Sequence, residues 1–314
     1  MLNYGKKSMT SKCVQYGVWA NCPNSCDFCL LKEKRFYSKN EQVKWLNLIK
    51  QNIYTIDWEH EFSGGISLLG GELYYIKDRF VQTKFMELID VIINRILKVS
   101  NDPICRYSTV TNGLYEPSFL YRVMDHLKAE VSMNKVDVNF SYDFKYRFKN
   151  KNAEKLCLKN INAFTERYNY RTGVQMILTQ NVIDMWKNGW DVNKWIDSTI
   201  PGCNLAFLYP HKVRTGKVLP DFRFNRKDLL DFVIYLKHES PSVYLSFIHS
   251  TRNSERFKYT GLVNRGHTNA REIPILTDGK EIKTECGHSE LYRCYADSDS
   301  CVLCDLMNID GELE

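Results

Sequence analysis

The chain has 314 residues, 44% hydrophobic and 25% charged, an ordinary globular usage that excludes a disordered tail, a collagen and a coiled coil. Its net charge of +6 comes from interspersed residues, which favours a solvated surface but does not exclude a nucleic-acid partner. No apolar run approaches the ~18 residues of a membrane span and no signal peptide is visible, so we expect a cytoplasmic protein with no membrane partner.

Strand-like and helix-like segments alternate along the chain. Runs rich in β-branched and aromatic residues predict strands at 13–19, 66–71, 104–113, 136–143, 172–180 and 203–210. Apolar residues at helical spacing predict helices at 40–53 (N-cap Asn40), 81–97, 118–128, 152–168, 182–197 (interrupted at Gly189) and 226–238. These six units predict an α/β fold, a partial (β/α)6 barrel with parallel strands and outer helices.

The pattern changes after about residue 240. Residues 243–250 are predicted as a last strand, and 273–286 as a hairpin around Asp278-Gly279. We therefore expect two domains: a barrel at 1–240 and a small Cys-rich extension at 241–314.

Polar and metal-ligating residue types follow several predicted strands. In parallel α/β folds the ligand site lies at the carboxyl ends of the strands, so these residues should share one mouth. They are the Cys22–Cys29 loop, Gly70-Gly71-Glu72, Thr111-Asn112-Gly113, Ser141-Tyr142-Asp143 and Tyr209-Pro210-His211.

Seven of the 11 cysteines fall in two short stretches, which in a reducing compartment indicates metal or iron–sulfur ligands. The isolated Cys13, Cys105, Cys157 and Cys203 are better explained as small buried hydrophobes. The first stretch, Cys22-x3-Cys26-x2-Cys29, can hold three irons of a [4Fe–4S] cluster and leave the fourth iron open. The alternatives are a zinc loop completed by a distant residue, or an electron carrier with a remote fourth cysteine.

These motifs resemble the radical S-adenosylmethionine (SAM) superfamily, over roughly residues 12–210. The resemblance lies in the C-x3-C-x-aromatic-C loop with Phe28, in Gly70-Gly71-Glu72 after the second strand, in the Thr-Asn-Gly at 111–113 and in the Ser-x-Asp at 141–143. Leu73 stands where the family often has proline, a mild departure.

The resemblance implies a mechanism. SAM would chelate the open iron through its amino and carboxylate groups, and a reduced cluster would cleave it to methionine and a 5′-deoxyadenosyl radical. That radical would abstract hydrogen from a substrate carbon, with flavodoxin or ferredoxin as the electron donor. The protein would position the reactants and exclude water.

The resemblance also suggests residue roles. Cys22, Cys26 and Cys29 would be the catalytic cluster ligands, and Gly70 and Gly71 would let backbone approach SAM closely. Glu72 would accept a hydrogen bond from the amino group of SAM, Phe28 would lie along the adenine, and Asn112 and Ser141 would bind ribose or carboxylate. Tyr142, Asp143, Tyr209 and His211 could touch substrate, although each alone is better explained structurally.

The second cysteine stretch holds Cys286, Cys294, Cys301 and Cys304, enough for one closed [4Fe–4S] cluster or one tetrahedral zinc. Its position resembles the auxiliary-cluster extensions, SPASM and Twitch, of radical SAM maturases, and the single-cluster Twitch type fits the cysteine count better. We favour a second [4Fe–4S] cluster; a ligand role for His267 or His288 would favour zinc.

Three functions follow. The first is a radical SAM enzyme acting on a peptide or protein side chain. The second is a radical SAM enzyme acting on a nucleotide, nucleic acid or small metabolite. The third is a non-catalytic iron–sulfur or zinc metalloprotein, which would need no Gly70-Gly71-Glu72 motif and no SAM affinity.

Overall fold

The computed structural model describes residues 14–19, 21–24, 26, 37–55, 65–101, 105–148, 150–170, 172–208 and 224–252, with 14–15 and 248–252 as backbone alone. Its centre is one six-stranded parallel sheet whose strand order follows the sequence. The predicted α/β fold with a partial (β/α)6 arrangement is thus confirmed. The strands are β1 Val14–Gly17, β2 Gly65–Leu69, β3 Arg106–Thr111, β4 Val136–Tyr142, β5 Gly173–Ile177 and β6 Asn204–Leu208.

One or two helices follow each strand. They are α1 Lys39–Thr55, α2 Arg79–Ile92, α3 Ser118–Glu130, α4 Lys151–Tyr168, α5 Gln180–Lys187, α6 Val192–Thr199, α7 Arg226–Glu239 and α8 Pro241–Arg252. A π-helical turn, Ile93–Leu97, continues α2, and a 3-10 turn, Met133–Lys135, precedes β4. The break between α5 and α6 lies at the predicted Gly189, whose φ of 93° suits glycine.

The two faces of β4 differ in chemistry. Val136, Val138, Phe140 and Tyr142 are buried, and the intervening Asp137, Asn139 and Ser141 are only partly so. Phe140 packs its ring edge on Phe164 of α4, with centroids 5.5 Å apart, so the apolar residues point to the helices. Side chains alternate along a strand, and Ser141 therefore points to the opposite face.

Two predictions of local structure are wrong. Residues 243–250 belong to helix α8, not to a strand, since Val243, Tyr244 and Phe247 are buried at helical spacing. Asn40 is not an N-cap: Ser38 precedes α1 and forms a reciprocal capping box with Glu41. Proline at the first position of α8 and the Ser38-x-x-Glu41 spacing are the sequence signals that identify both starts.

Several predictions lie outside the described residues: Cys13, Phe28, Cys29, Tyr209, His211, His267, the hairpin at Asp278-Gly279, His288 and the four C-terminal cysteines. Within the described ranges, no helix has the length and apolar character needed to cross a membrane. Helix α8, which begins at the predicted domain boundary, packs against β6 and α7.

Candidate functional site

The loops after β1 and β2 continue the parallel pairing of those strands. Val18 N donates to Leu69 O at 2.8 Å, Gly71 N to Trp19 O at 2.8 Å and Glu72 N to Asn21 O at 2.7 Å. The Gly-Gly-Glu segment therefore runs beside the residues that lead into the cysteine loop.

Glycine at position 70 has a packing reason within the protein itself. A Cβ at Gly70 would lie only 2.6 Å from Trp19 O, closer than real Cβ atoms approach a backbone oxygen. The residue therefore permits the close approach of the two loops, whether or not a ligand is present.

Cys22 and Cys26 follow directly on the loop after β1. Both residues are partly exposed. Asn112 Nδ2 donates to Cys22 Sγ at 3.7 Å, and Asn24 Nδ2 donates to Cys26 Sγ at 3.2 Å. Donors of this kind stabilise negative charge on sulfur, as a thiolate metal ligand requires.

Asn21 joins the two ends of the cysteine loop. Its side-chain Oδ1 accepts a 2.7 Å hydrogen bond from Tyr37 N, just before α1, and both residues are buried. Asn21 and Tyr37 thus meet at one fixed point beside β2.

Glu72 is completely buried, and its carboxylate is bound by protein donors. Asn112 N donates to Oε2 at 2.7 Å, and the Thr111 hydroxyl donates to Oε1 at 3.0 Å. Tyr74 N makes a longer contact of 3.4 Å to Oε1. No cation pairs with Glu72 among the described residues, and burial raises the pKa of its carboxyl to about 7.

This arrangement bears on the role predicted for Glu72. Thr111 pairs in register with Phe140, so its side chain shares the helix-facing side of the sheet. The Glu72 carboxylate lies on that side too, while Ser141 lies on the other. Its contact with a SAM amino group remains a prediction; what the described contacts do is tie the loop after β2 to the loop after β3.

The loop after β3 is fixed at nearly every residue. Asn112 Oδ1 accepts a 2.8 Å hydrogen bond from Leu114 N, and the Thr111 and Tyr115 hydroxyls are 2.8 Å apart. Gly113 has a φ of 65°, the left-handed region in which glycine is unstrained. These bonds leave the amide nitrogen of Asn112 directed at Cys22.

The three residues predicted at the end of β4, Ser141, Tyr142 and Asp143, differ in their hydrogen bonds. The hydroxyl of buried Tyr142 donates to Glu154 at 2.6 Å. Buried Asp143 accepts from Lys145 N at 2.8 Å and Tyr146 N at 2.6 Å, and burial raises its pKa. Both are thus engaged within the protein, whereas the partly exposed Ser141 hydroxyl has no hydrogen-bond partner among the described residues.

The described residues bring Cys22, Cys26, Gly70, Gly71, Glu72 and Asn112 together, with Ser141 on the neighbouring strand end. No cluster of three or more metal-ligating side chains is present within the described ranges, to which Cys29 does not belong. Cys105, Cys157 and Cys203 are buried, as predicted.

Four residues that shape this site have no predicted role in it: Asn21, Asn24, Cys157 and Asn160. Asn21 and Asn24 flank Cys22 in the sequence, and amides beside metal-binding cysteines are a usable signal. Cys157 and Asn160 occupy core positions of a helical pattern, where nothing in the sequence distinguishes them from packing residues.

No family model matches the sequence, and no curated protein matches it. Two solved structures are similar in fold. One is native anSMEcpe with bound AdoMet, at TM-score 0.46 and 17% identity, covering 72% of this chain and 59% of that chain. The other is Streptococcus suis SuiB bound to precursor peptide SuiA, at TM-score 0.48 and 13% identity, covering 72% of this chain and 45% of that chain. This chain thus spans about half the length of those proteins, and its function must be inferred from its own residues.

Proposed function

We propose that this chain is a radical SAM enzyme whose cluster is held by Cys22, Cys26 and Cys29. One observation carries the proposal: Cys22 and Cys26 lie at the carboxyl edge of a parallel sheet, where backbone pairing of Trp19 and Asn21 brings their loop beside Gly70-Gly71-Glu72. In such folds this edge is where ligands bind.

The described residues fit an iron–sulfur cluster. Each of the two cysteine sulfurs receives an amide donor, and the loop that carries them is held at its base by Asn21. A [4Fe–4S] cluster with bound SAM would supply a 5′-deoxyadenosyl radical for hydrogen abstraction. The chain's own residues would hold the thiolates, stabilise their charge and shield the site from water.

We further propose that Ser141 and Asn112 bind polar groups of SAM, because their side chains lie at adjacent strand ends. Gly70 and Gly71 would offer backbone to the ligand, and Phe28 would lie along the adenine. Glu72 would fix the edge on which these groups lie, and it would accept a hydrogen bond from the amino group of SAM.

The proposed substrate is a peptide or protein side chain, with flavodoxin or ferredoxin as electron donor. The proposed substrate class rests on the resemblance of the C-terminal cysteines to auxiliary-cluster extensions. We propose Cys286, Cys294, Cys301 and Cys304 as the ligands of a second [4Fe–4S] cluster. Zinc is the alternative occupant of that site.

The test is anaerobic reconstitution with iron and sulfide, followed by reduction, addition of SAM and mass spectrometry for 5′-deoxyadenosine. Wild type should form it, and Cys26→Ala should not. Cys203→Ala is the matched control, because Cys203 is buried just before the amino end of β6, against the Thr165 hydroxyl, whereas the cysteine loop lies at the carboxyl edge. Wild type that takes up no iron, or binds no SAM, would contradict the proposal. An iron count near eight rather than four would support the second cluster.

A further inference from the structure

Three side chains on one face of helix α4, Glu154, Cys157 and Asn160, form what we call the α4 polar stripe. Their three-residue spacing makes them neighbours on the helix surface. They lie in the first turns, next to the carboxyl end of β4, and Cys157 and Asn160 are buried. Buried polar groups are unfavourable unless hydrogen-bonded, so their partners are informative.

Asn160 and Cys157 bind the backbone of the loop after β3. Asn160 Nδ2 donates to Gly113 O at 2.8 Å and to Tyr115 O at 3.0 Å, which uses both of its protons. Cys157 Sγ donates to Asn112 O at 3.5 Å. Burial raises the pKa of the Cys157 thiol to about 12, and the thiol therefore keeps the proton that it donates.

The stripe also contacts β4. Cys157 Sγ lies 4.0 Å from Ser141 O, and Glu154 accepts the 2.6 Å hydrogen bond from the Tyr142 hydroxyl. One helix thus joins the ends of two adjacent strands through side chains.

Both backbone groups of Asn112, its N–H and its carbonyl, are consequently hydrogen-bonded. Glu72 accepts from its N–H at 2.7 Å, and Cys157 donates to its carbonyl. Its own Oδ1 is bound to Leu114 N, and Asn160 fixes the carbonyl of the next residue. The remaining polar group, Nδ2, is the one that contacts Cys22 Sγ.

We propose that Asn160, supported by Cys157, is a positioning residue that directs the Asn112 amide at the sulfur of Cys22. This inference rests on the proposed function, in which Cys22 is a cluster ligand. Hydrogen bonds to cysteine sulfurs are among the features that set the reduction potential of an iron–sulfur cluster. An N–H donor stabilises the extra negative charge of the reduced cluster, so its loss should lower the potential.

The chain offers a matched control on the same helix. Asn162 also donates its side-chain amide to a backbone carbonyl, that of Thr199 at 3.0 Å, but this carbonyl ends helix α6 and belongs to another part of the fold. Asn160→Ala and Asn162→Ala therefore remove the same atoms and the same type of bond. Only the first loosens the loop that carries Asn112.

The experiment measures the midpoint potential of the reconstituted cluster by redox titration with electron paramagnetic resonance. We expect Asn160→Ala to lower the potential in the same direction as Asn112→Ala, and to weaken SAM binding about tenfold. Asn162→Ala should match wild type in both. Backbone hydrogen exchange at residues 111–115 should be faster than in wild type in Asn160→Ala, and unchanged in Asn162→Ala.

Cys157→Ala and Cys157→Ser are the alternative test if Asn160→Ala fails to fold, because they change a smaller side chain. The serine hydroxyl can still donate to Asn112 O, so serine should restore the potential that alanine lowers. A loaded Asn160→Ala or Cys157→Ala protein with wild-type potential would overturn the positioning role alone. A wild-type protein that binds no cluster would overturn the proposed function, and the positioning role with it.

Discussion

Helices α2 and α4 both cross over the same sheet, but the faces they bury differ in chemistry. The buried residues of α2 are all apolar: Val81, Phe85, Leu88, Ile89 and Ile92. Those of α4 are apolar only in its later turns, at Ile161, Phe164 and Tyr168, and the turns nearest the strand ends present Cys157 and Asn160. Covering a sheet needs only an apolar face, whereas holding loops at the ligand edge needs hydrogen bonds.

The largest effect on stability should come from the apolar face of α2. Ile89 is completely buried, and Ile89→Ala should cost about 2–5 kcal/mol through lost burial and the cavity that remains. Urea denaturation measures the loss. The cluster potential and SAM affinity of folded Ile89→Ala should equal those of wild type. A changed potential would show that α2 also positions the site, and the contrast with α4 would fail.

Glu72 binds the backbone N–H of Asn112, whereas the α4 polar stripe binds its carbonyl. The protonation of Glu72 should be visible in the free energy of unfolding. Burial raises its pKa from 4.5 to about 7, so the folded state binds this proton more tightly than the unfolded state. The resulting stabilisation is fully present below pH 4.5 and is lost as pH rises through about 7, a change of about 3 kcal/mol.

Glu72→Gln cannot ionise and imitates the protonated carboxyl. Its stability relative to wild type should therefore increase between about pH 5 and about pH 8, measured by urea denaturation of both proteins. An equal difference at the two pH values would mean that Glu72 does not titrate in this range.

The smallest effect is expected at Ser38, a polar residue that only caps a helix, and it serves as a baseline for the other variants. Ser38→Ala should cost about 1 kcal/mol, because the capping box of α1 loses its Oγ contact with Glu41 N. Asn40 is exposed and lies two residues after Ser38, so Asn40→Ala should change thermal stability very little. A larger loss of stability in Asn40→Ala than in Ser38→Ala would show that Asn40 is the N-cap.

The sequence predicts the sheet well because its signals are local and repeated. Six strand–helix units with β-branched strands and amphipathic helices leave little choice of topology, and the strict alternation in β4 predicts its two faces. Valine, tyrosine and phenylalanine are common in strands, and their presence in residues 243–250 favours a strand there. Pro241 and helical burial spacing override that preference in the folded chain.

The site is less predictable because its residues act through distant partners. The motif glycines and cysteines have recognisable spacing, and their convergence follows from strand order. The burial of Glu72 beneath Thr111 and Asn112 does not follow from spacing, since 39 and 40 residues separate it from those partners. Asn160 reaches residues 45 and 47 positions earlier, and only the folded register shows that contact.

The order of the strands in the sheet, identical to their order in the chain, has a consequence for synthesis. Each new strand pairs with the one made just before it, so the sheet can grow unit by unit as the chain leaves the ribosome. Cys22, Cys26, Glu72, Asn112, Ser141 and Asn160 all belong to the stretch that ends with α4. The ligand edge can therefore assemble while β5 and β6 are still untranslated.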